Sequence, residues 1–146
     1  VLYYFDCDSR KVMRVSIPDG TATELATLPD EGATSAYLDG KMGDWFLLSQ
    51  RYYENREDVS YPVANDCCYA VNVKTGELRP LEIRQEVSAD RRMTTMLGKT
   101  SNEVLLITDS EVPETATHYG FVYSLISQED YLNSNADALK PIQFAF

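Results

Sequence analysis

Gly40-Lys41 and Gly98-Lys99 stand 98 − 40 = 58 residues apart, and Leu47-Leu48 and Leu105-Leu106 repeat at the same offset. Two matches at one spacing mark an internal repeat. A repeat of this length is one supersecondary unit that buries its apolar surface against a neighbouring copy.

Within each copy the residues alternate with the period of β-structure. The chain opens with Leu2-Tyr3-Tyr4-Phe5-Asp6, turns at Asp8-Ser9-Arg10, and continues as Lys11-Val12-Met13-Arg14-Val15-Ser16-Ile17. In the second run Met13, Val15 and Ile17 share one face and Val12, Arg14 and Ser16 the other. Pro18-Asp19-Gly20 supplies the turn, with proline presetting φ and glycine accepting a positive one. The second copy holds Trp45-Phe46-Leu47-Leu48-Ser49, then Cys68-Tyr69-Ala70-Val71-Asn72-Val73, then Glu77-Leu78-Arg79-Pro80-Leu81. The third holds Val104-Leu105-Leu106-Ile107, then Gly120-Phe121-Val122-Tyr123-Ser124-Leu125-Ile126, then Leu139-Lys140-Pro141-Ile142. Both later copies have a short leading strand, near residues 35–38 and 93–97, followed by Gly-Lys turns. Pro80 and Pro141 suit edge strands, because proline cannot donate to a central ladder.

The repeat therefore predicts an all-β fold of tandem four-stranded antiparallel units. These are β-propeller-like blades, about three in an incomplete ring, with approximate units at 1–30, 31–86 and 87–146. The first unit lacks its leading strand. A self-contained β-sandwich is the alternative. Residues 51–66 and 109–119 read as insertions between the second and third strands of their units. In the segment 127–138, Ser127 precedes Asp130 by three residues, which predicts a capped helical turn or two.

The stretch Tyr3-Tyr4-Phe5-Asp6 through Ile17-Pro18-Asp19-Gly20 resembles one repeat of the YWTD-type propellers. It is similar also to propeller repeats of bacterial envelope proteins of unassigned function. Tyr3, Tyr4 and Asp6 match the aromatic pair and acid of that pattern, and Phe5 departs from its threonine. The later copies do not reproduce the motif. The resemblance implies a propeller architecture, a binding role and an extracytoplasmic or envelope location.

Composition narrows the function classes. The formal net charge is −10 with 13 lysines and arginines in 146 residues, and these are scattered along the chain. A nucleic-acid interface needs a basic face, so nucleic acid is not an expected partner. The longest apolar runs fall far short of the roughly 20 residues that span a bilayer, so no membrane span is expected. The three cysteines, Cys7, Cys67 and Cys68, form neither a Cys-x-x-Cys pair nor a disulfide framework. Cys67 and Cys68 are strand neighbours that point to opposite faces, as packed thiols.

Catalytic and cofactor chemistry finds little purchase. His118 is the single histidine and has no recognisable nucleophile setting around it. Asp6, Asp8, Asp109 and Glu111 follow the apolar strands, where carboxylates could gather calcium, but Gln50 and Arg51 interrupt the series in the middle copy. Acids at strand ends also serve turns by accepting backbone N–H bonds. The seven glycines are dispersed, and no phosphate-cradling loop is present. No cofactor is expected, and no catalytic residue or metal ligand is assigned.

The ten tyrosines are the most suggestive feature. Tyr3, Tyr4, Tyr69 and Tyr123 fall in strands as packing residues. Arg51, Tyr52, Tyr53, Arg56 and Tyr61 are the candidate contact patch, since tyrosine offers rigid amphipathic area at low entropy cost. The expected function is a non-enzymatic binding or scaffold module for a protein, peptide or glycan. The alternative is part of a propeller-type hydrolase or lyase whose active site lies largely outside this chain. The polar residues expected on the leading strands are only Ser35, Thr94 and Thr95, which favours binding. An open array of about three blades leaves unpaired edges, so self-association through blade edges is also expected.

Overall fold

The computed structural model describes residues 1–29, 32–83, 86–87, 92–93, 95–111 and 120–143. The fold is all-β, with three antiparallel sheets and none closed on itself. It is compatible with a propeller-like or a sandwich type of architecture.

The first sheet is a meander of β1 (Leu2–Asp6), β2 (Lys11–Val15) and β3 (Ala22–Thr27). Asp6 makes its first turn by accepting from the backbone N–H of Asp8 and Ser9 and from the Ser9 hydroxyl. That settles the turn-forming role for this acid, and it draws the Asp6 carboxyl below its ordinary range, chiefly through the Ser9 hydroxyl.

The middle sheet contains β4 (Ser35–Met42), β5 (Trp45–Glu54), β6 (Val63–Asn72) and β7 (Leu78–Pro80), with β8 (Glu86–Val87) and β9 (Arg92–Met93) added beyond β6. The third sheet is a four-stranded meander of β10 (Thr95–Lys99), β11 (Glu103–Glu111), β12 (Gly120–Ser127) and β13 (Lys140–Pro141). Between the last two strands, α1 (Gln128–Leu132) starts at Ser127, whose hydroxyl accepts from the Asp130 N–H. The expected capped turn is present, with a 3₁₀ turn over Ala136–Ala138 after it.

Three strand expectations need correction. Residues 51–66 are not one insertion, because β5 and β6 stay paired from Trp45↔Asn72 out to Glu54↔Val63 and only residues 55–62 form the loop. The Arg51–Asp66 and Tyr52–Asn65 cross-strand pairs carry the ladder through this polar stretch. Gly40 and Gly98 are not in turns after their strands. Each sits inside a strand at a bulge, opposite Leu47 and Leu105 respectively. The leading strand of the third sheet is β10, while Arg92 and Met93 pair with the middle sheet.

The three sheets stack face to face in chain order, and strand parity sets which residues each interface takes. From the middle sheet, Phe46, Leu48, Val71 and Val73 pack against Val12 and Leu28 of the first unit, with Tyr3 and Phe5 alongside. From its opposite face, Leu47, Cys68, Ala70 and Leu81 pack against Val104, Leu106 and Ile126, with Tyr131 and Leu132 of α1. Residues 46–50 are consequently all buried, because both faces of β5 are covered. Each fully buried Leu, Ile or Val removes surface worth about 1.5–3 kcal/mol, so these two layers hold the stack together.

Phe46 and Leu48 become Val104 and Leu106 at the 58-residue offset, and both pairs face the preceding sheet. The stack is thus directional: every sheet presents a back face to its predecessor and a front face to its successor.

Candidate functional site

At the outer end of the middle sheet, strand pairing places Ser35, Arg51 and Asp66 in one cross-strand row and Tyr37, Ser49 and Cys68 in the next. All six side chains belong to the front face, with Tyr53 one step further out. Arg51 meets Asp66 in a two-toothed ion pair, Nε to Oδ1 at 2.7 Å and Nη2 to Oδ2 at 2.6 Å. This pairing raises the guanidinium pKa above its ordinary value, so Arg51 is fixed as a cation. Its guanidinium carbon lies 6.0 Å from the Tyr37 ring centroid. The Tyr37 hydroxyl in turn shares a 2.6 Å hydrogen bond with Ser35. Tyr53 stands beyond them with 55% of its surface exposed.

Tyr52 takes the other face. Its hydroxyl donates to Gln50 Oε1 at 3.1 Å, and Gln50 Nε2 donates to the Pro29 carbonyl at 2.9 Å. Gln50 is fully buried, so this relay ties β5 to the segment leaving the first sheet. Asn65, paired with Tyr52 across the ladder, has a buried Oδ1 with no hydrogen-bond partner among the described residues.

Arg56 and Tyr61 lie in the 55–62 loop. Arg56 closes a two-toothed pair with Asp58, at 2.9 and 2.7 Å, which lowers the Asp58 carboxyl. Tyr61 is 59% exposed. The five expected contact residues therefore separate into a locked front-face group around Arg51 and Tyr53, a structural Tyr52, and a loop bearing Arg56 and Tyr61. The structure adds Tyr37 and Asp66, which sequence reading missed: Tyr37 stands alone in the sequence, and only strand register brings it beside Arg51.

Asp109 and Glu111 have side chains outside the described residues, as do Thr95 and the whole of Thr94 and His118. Among the described residues no group of three or more His, Cys, Asp or Glu side chains is placed to hold a metal ion. No helix of the described residues is long and apolar enough to cross a membrane. Among the described residues the three cysteines form no disulfide, with Cys68 buried, Cys67 half-buried and Cys7 exposed.

A second feature escaped the sequence reading altogether. Below the front-face core, the β4–β5 turn and α1 border an open hollow of about 490 Å³, lined among others by Asp44, Trp45, Asn72, Arg79, Glu129 and Asn133. Trp45 is the chain's only tryptophan. Arg79 lies over its ring at 4.5 Å from the centroid, and is held there by Glu77 at 2.7 Å and Asn133 at 2.7 Å. Asn72 Oδ1 accepts the Lys74 and Thr75 N–H groups of the next turn. In the sequence only Asp44-Trp45 marks this hollow, because the other members come from β6, β7 and α1 with its cap.

Comparison with protein-family models, with curated proteins and with solved structures found no match.

Proposed function

We propose that the chain is a non-enzymatic binding or scaffold module of propeller-like type, which engages a protein or peptide partner through the front-face group Tyr37, Arg51 and Tyr53 with Tyr61 of the loop that joins β5 to β6. The observation that supports this reading is the locked geometry of Arg51. Asp66 fixes its guanidinium in place, and Tyr37 and Tyr53 flank it on rigid strands. Interface anchors are enriched in tyrosine and arginine because these side chains bring large contact area with little rotamer freedom to lose. Building them on paired strands removes more of that cost before binding.

The test is selection of a random peptide display library on the wild-type chain. Enriched peptides are then measured against Tyr53→Ala, Tyr61→Ala and Asp66→Asn. Loss of tenfold or more in affinity, about 1.4 kcal/mol, is expected for Tyr53→Ala. The asparagine variant keeps the size of Asp66 while releasing Arg51, and it is expected to weaken binding less than Tyr53→Ala. Unchanged affinity in both tyrosine variants removes the assignment.

A glycan partner is the second reading, favoured by the Trp45 hollow. Its lining offers two carboxylates and two amides, and Arg79 covers one face of the Trp45 ring, so a sugar that stacks on that face displaces the guanidinium. Because Trp45 is the sole tryptophan, intrinsic fluorescence reports on the hollow directly. Titration with cellohexaose, xylohexaose and maltohexaose tests it, and a flat emission spectrum with all three rejects it.

A further inference from the structure

The two ends of the stack are unlike each other and fit each other. At one end the back face of the first sheet presents Leu2, Tyr4, Met13 and Val15, set by the pairs Leu2↔Val15 and Tyr4↔Met13. Leu2 is 56% exposed, and Tyr4 is exposed beside it. At the other end the front face of the third sheet presents Leu105 with Leu125 and Ile107 with Tyr123. Phe121 packs edge-on against Tyr123, with ring centroids 6.5 Å apart. Leu97 and Phe121 are each 50% exposed.

Inside the stack, a front face of this kind always meets a back face. Leu47 on the middle sheet's front face is buried against the third sheet. Its counterpart at the 58-residue offset is Leu105, on the open front face. The open faces continue a series of two apolar interfaces already made within the chain.

We infer that a second copy of this chain covers both open faces. The back of each copy's first sheet seats on the front of the other's third sheet, giving a two-fold dimer of six stacked sheets. Six sheets lie within the four to eight blades that close a propeller. The area supports closure at two junctions in place of one. The smaller face at each junction is that of the first sheet, three strands of five to six residues, which covers roughly 260 Å² at strand spacings of about 4.8 Å and rises of about 3.3 Å. One junction removes about 500 Å² in total, the size of a packing contact, whereas two remove about 1,000 Å², the least that a specific interface needs. This mode uses sheet faces and not the blade edges that the sequence suggested. It also stands apart from the tyrosine-centred binding reading.

The experiment is sedimentation equilibrium of the 146-residue chain over a hundredfold dilution, together with Leu2→Glu, Leu97→Glu and Phe121→Glu. All three positions are at least half exposed, so the variants keep the fold, and circular dichroism verifies this. The expected result is a species of twice 16.5 kDa for the wild type, and a dissociation constant raised at least 100-fold by each substitution. A wild type that remains at 16.5 kDa at every concentration overturns the inference. So does a dimer that all three glutamates leave intact, since edge pairing or another surface then holds it.

Discussion

Lys99 donates from its ammonium group to the backbone carbonyl of Lys41, its own counterpart one unit earlier. The contact lies beside two bulges. Gly40 and Gly98 each follow a register shift in the leading strand, after Leu38 and Met96. A Cβ at Gly40 would stand 4.0 Å from Lys99 Nζ, an ordinary contact distance, so the lysine passes beside this bulge. The same irregularity in two successive sheets places equivalent strands side by side, and it sets which face each sheet turns to its neighbour.

Burial of both faces of β5 gives a direct test of the stacking. Leu47 and Leu48 are adjacent, and one belongs to each interlayer core. In a one-sided sheet only one of such a pair would be buried. Leu47→Ala and Leu48→Ala are each expected to cost about 2–5 kcal/mol in urea unfolding. A cost below 0.5 kcal/mol for either residue contradicts the three-layer stack.

Gly76 is where the turn after β6 meets the first sheet. Its φ of +78° is in the left-handed region, and a Cβ there would come within 2.6 Å of the Leu25 carbonyl oxygen. Gly20 has a similar φ of +70° with nothing within 4 Å. Both Gly→Ala variants carry the conformational cost of about 1–2 kcal/mol, and Gly76→Ala adds a clash with backbone. Thermal unfolding is expected to place Gly76→Ala clearly below Gly20→Ala. Equal melting temperatures would falsify the close approach.

Gln50 is a polar residue at the end of the buried run 46–50, and both ends of its amide are used. Gln50→Leu leaves the Pro29 carbonyl without its donor, and removes the acceptor of the Tyr52 hydroxyl. An unsatisfied buried polar group costs about 1–3 kcal/mol, so this hydrophobic substitution is expected to destabilise the chain. Tyr52→Phe removes one hydrogen bond and is expected to cost about 1 kcal/mol. Equilibrium unfolding of the two variants and their double mutant checks the coupling; purely additive costs mean that the relay is not a unit.

Acid stability follows from the capped helix. Asp130 titrates below its ordinary 3.8 because the Ser127 hydroxyl and then the Asn135 amide donate to its carboxylate. Asp6, Asp19 and Glu24 are lowered as well, led respectively by the Ser9 hydroxyl, the Thr21 N–H and Lys11. A carboxyl with a lowered folded pKa binds fewer protons than in the unfolded chain, so its contribution is complete above the unfolded value and fades as pH falls through the folded one. The urea midpoint is expected to stay level from about pH 7 to pH 5 and to fall below about pH 4. Asp130→Asn should make that fall shallower; an unchanged slope rules out a part for this carboxylate.

Strand grammar was legible wherever local chemistry decided it. The Pro18-Asp19-Gly20 turn, the Ser127 cap and the apolar runs at Trp45 and Val104 each follow from neighbours in sequence. The bulges were not legible, because Gly40-Lys41 and Gly98-Lys99 look like turn dipeptides until the ladder is seen to continue through them. The polar stretch after Ser49 misled for a related reason. Arg51, Tyr52 and Tyr53 read as loop residues, but cross-strand partners such as Asp66 supply the pairing that hydrophobic alternation does not. Tyr37 and the members of the Trp45 hollow are joined only by register and by the placement of α1. Such relations have no local signature.

The directional stack has a consequence for how such a chain can change length. Since each sheet offers its successor the surface that its predecessor offered it, inserting one more copy of the repeating segment creates no interface of a new kind. The added sheet inherits a fitting surface on both sides, and the junction it interrupts is re-formed one layer further along. Growth or loss of whole units is therefore structurally neutral at the joints, whereas inserting or deleting one residue in a leading strand, where no bulge absorbs it, reverses every side chain beyond it.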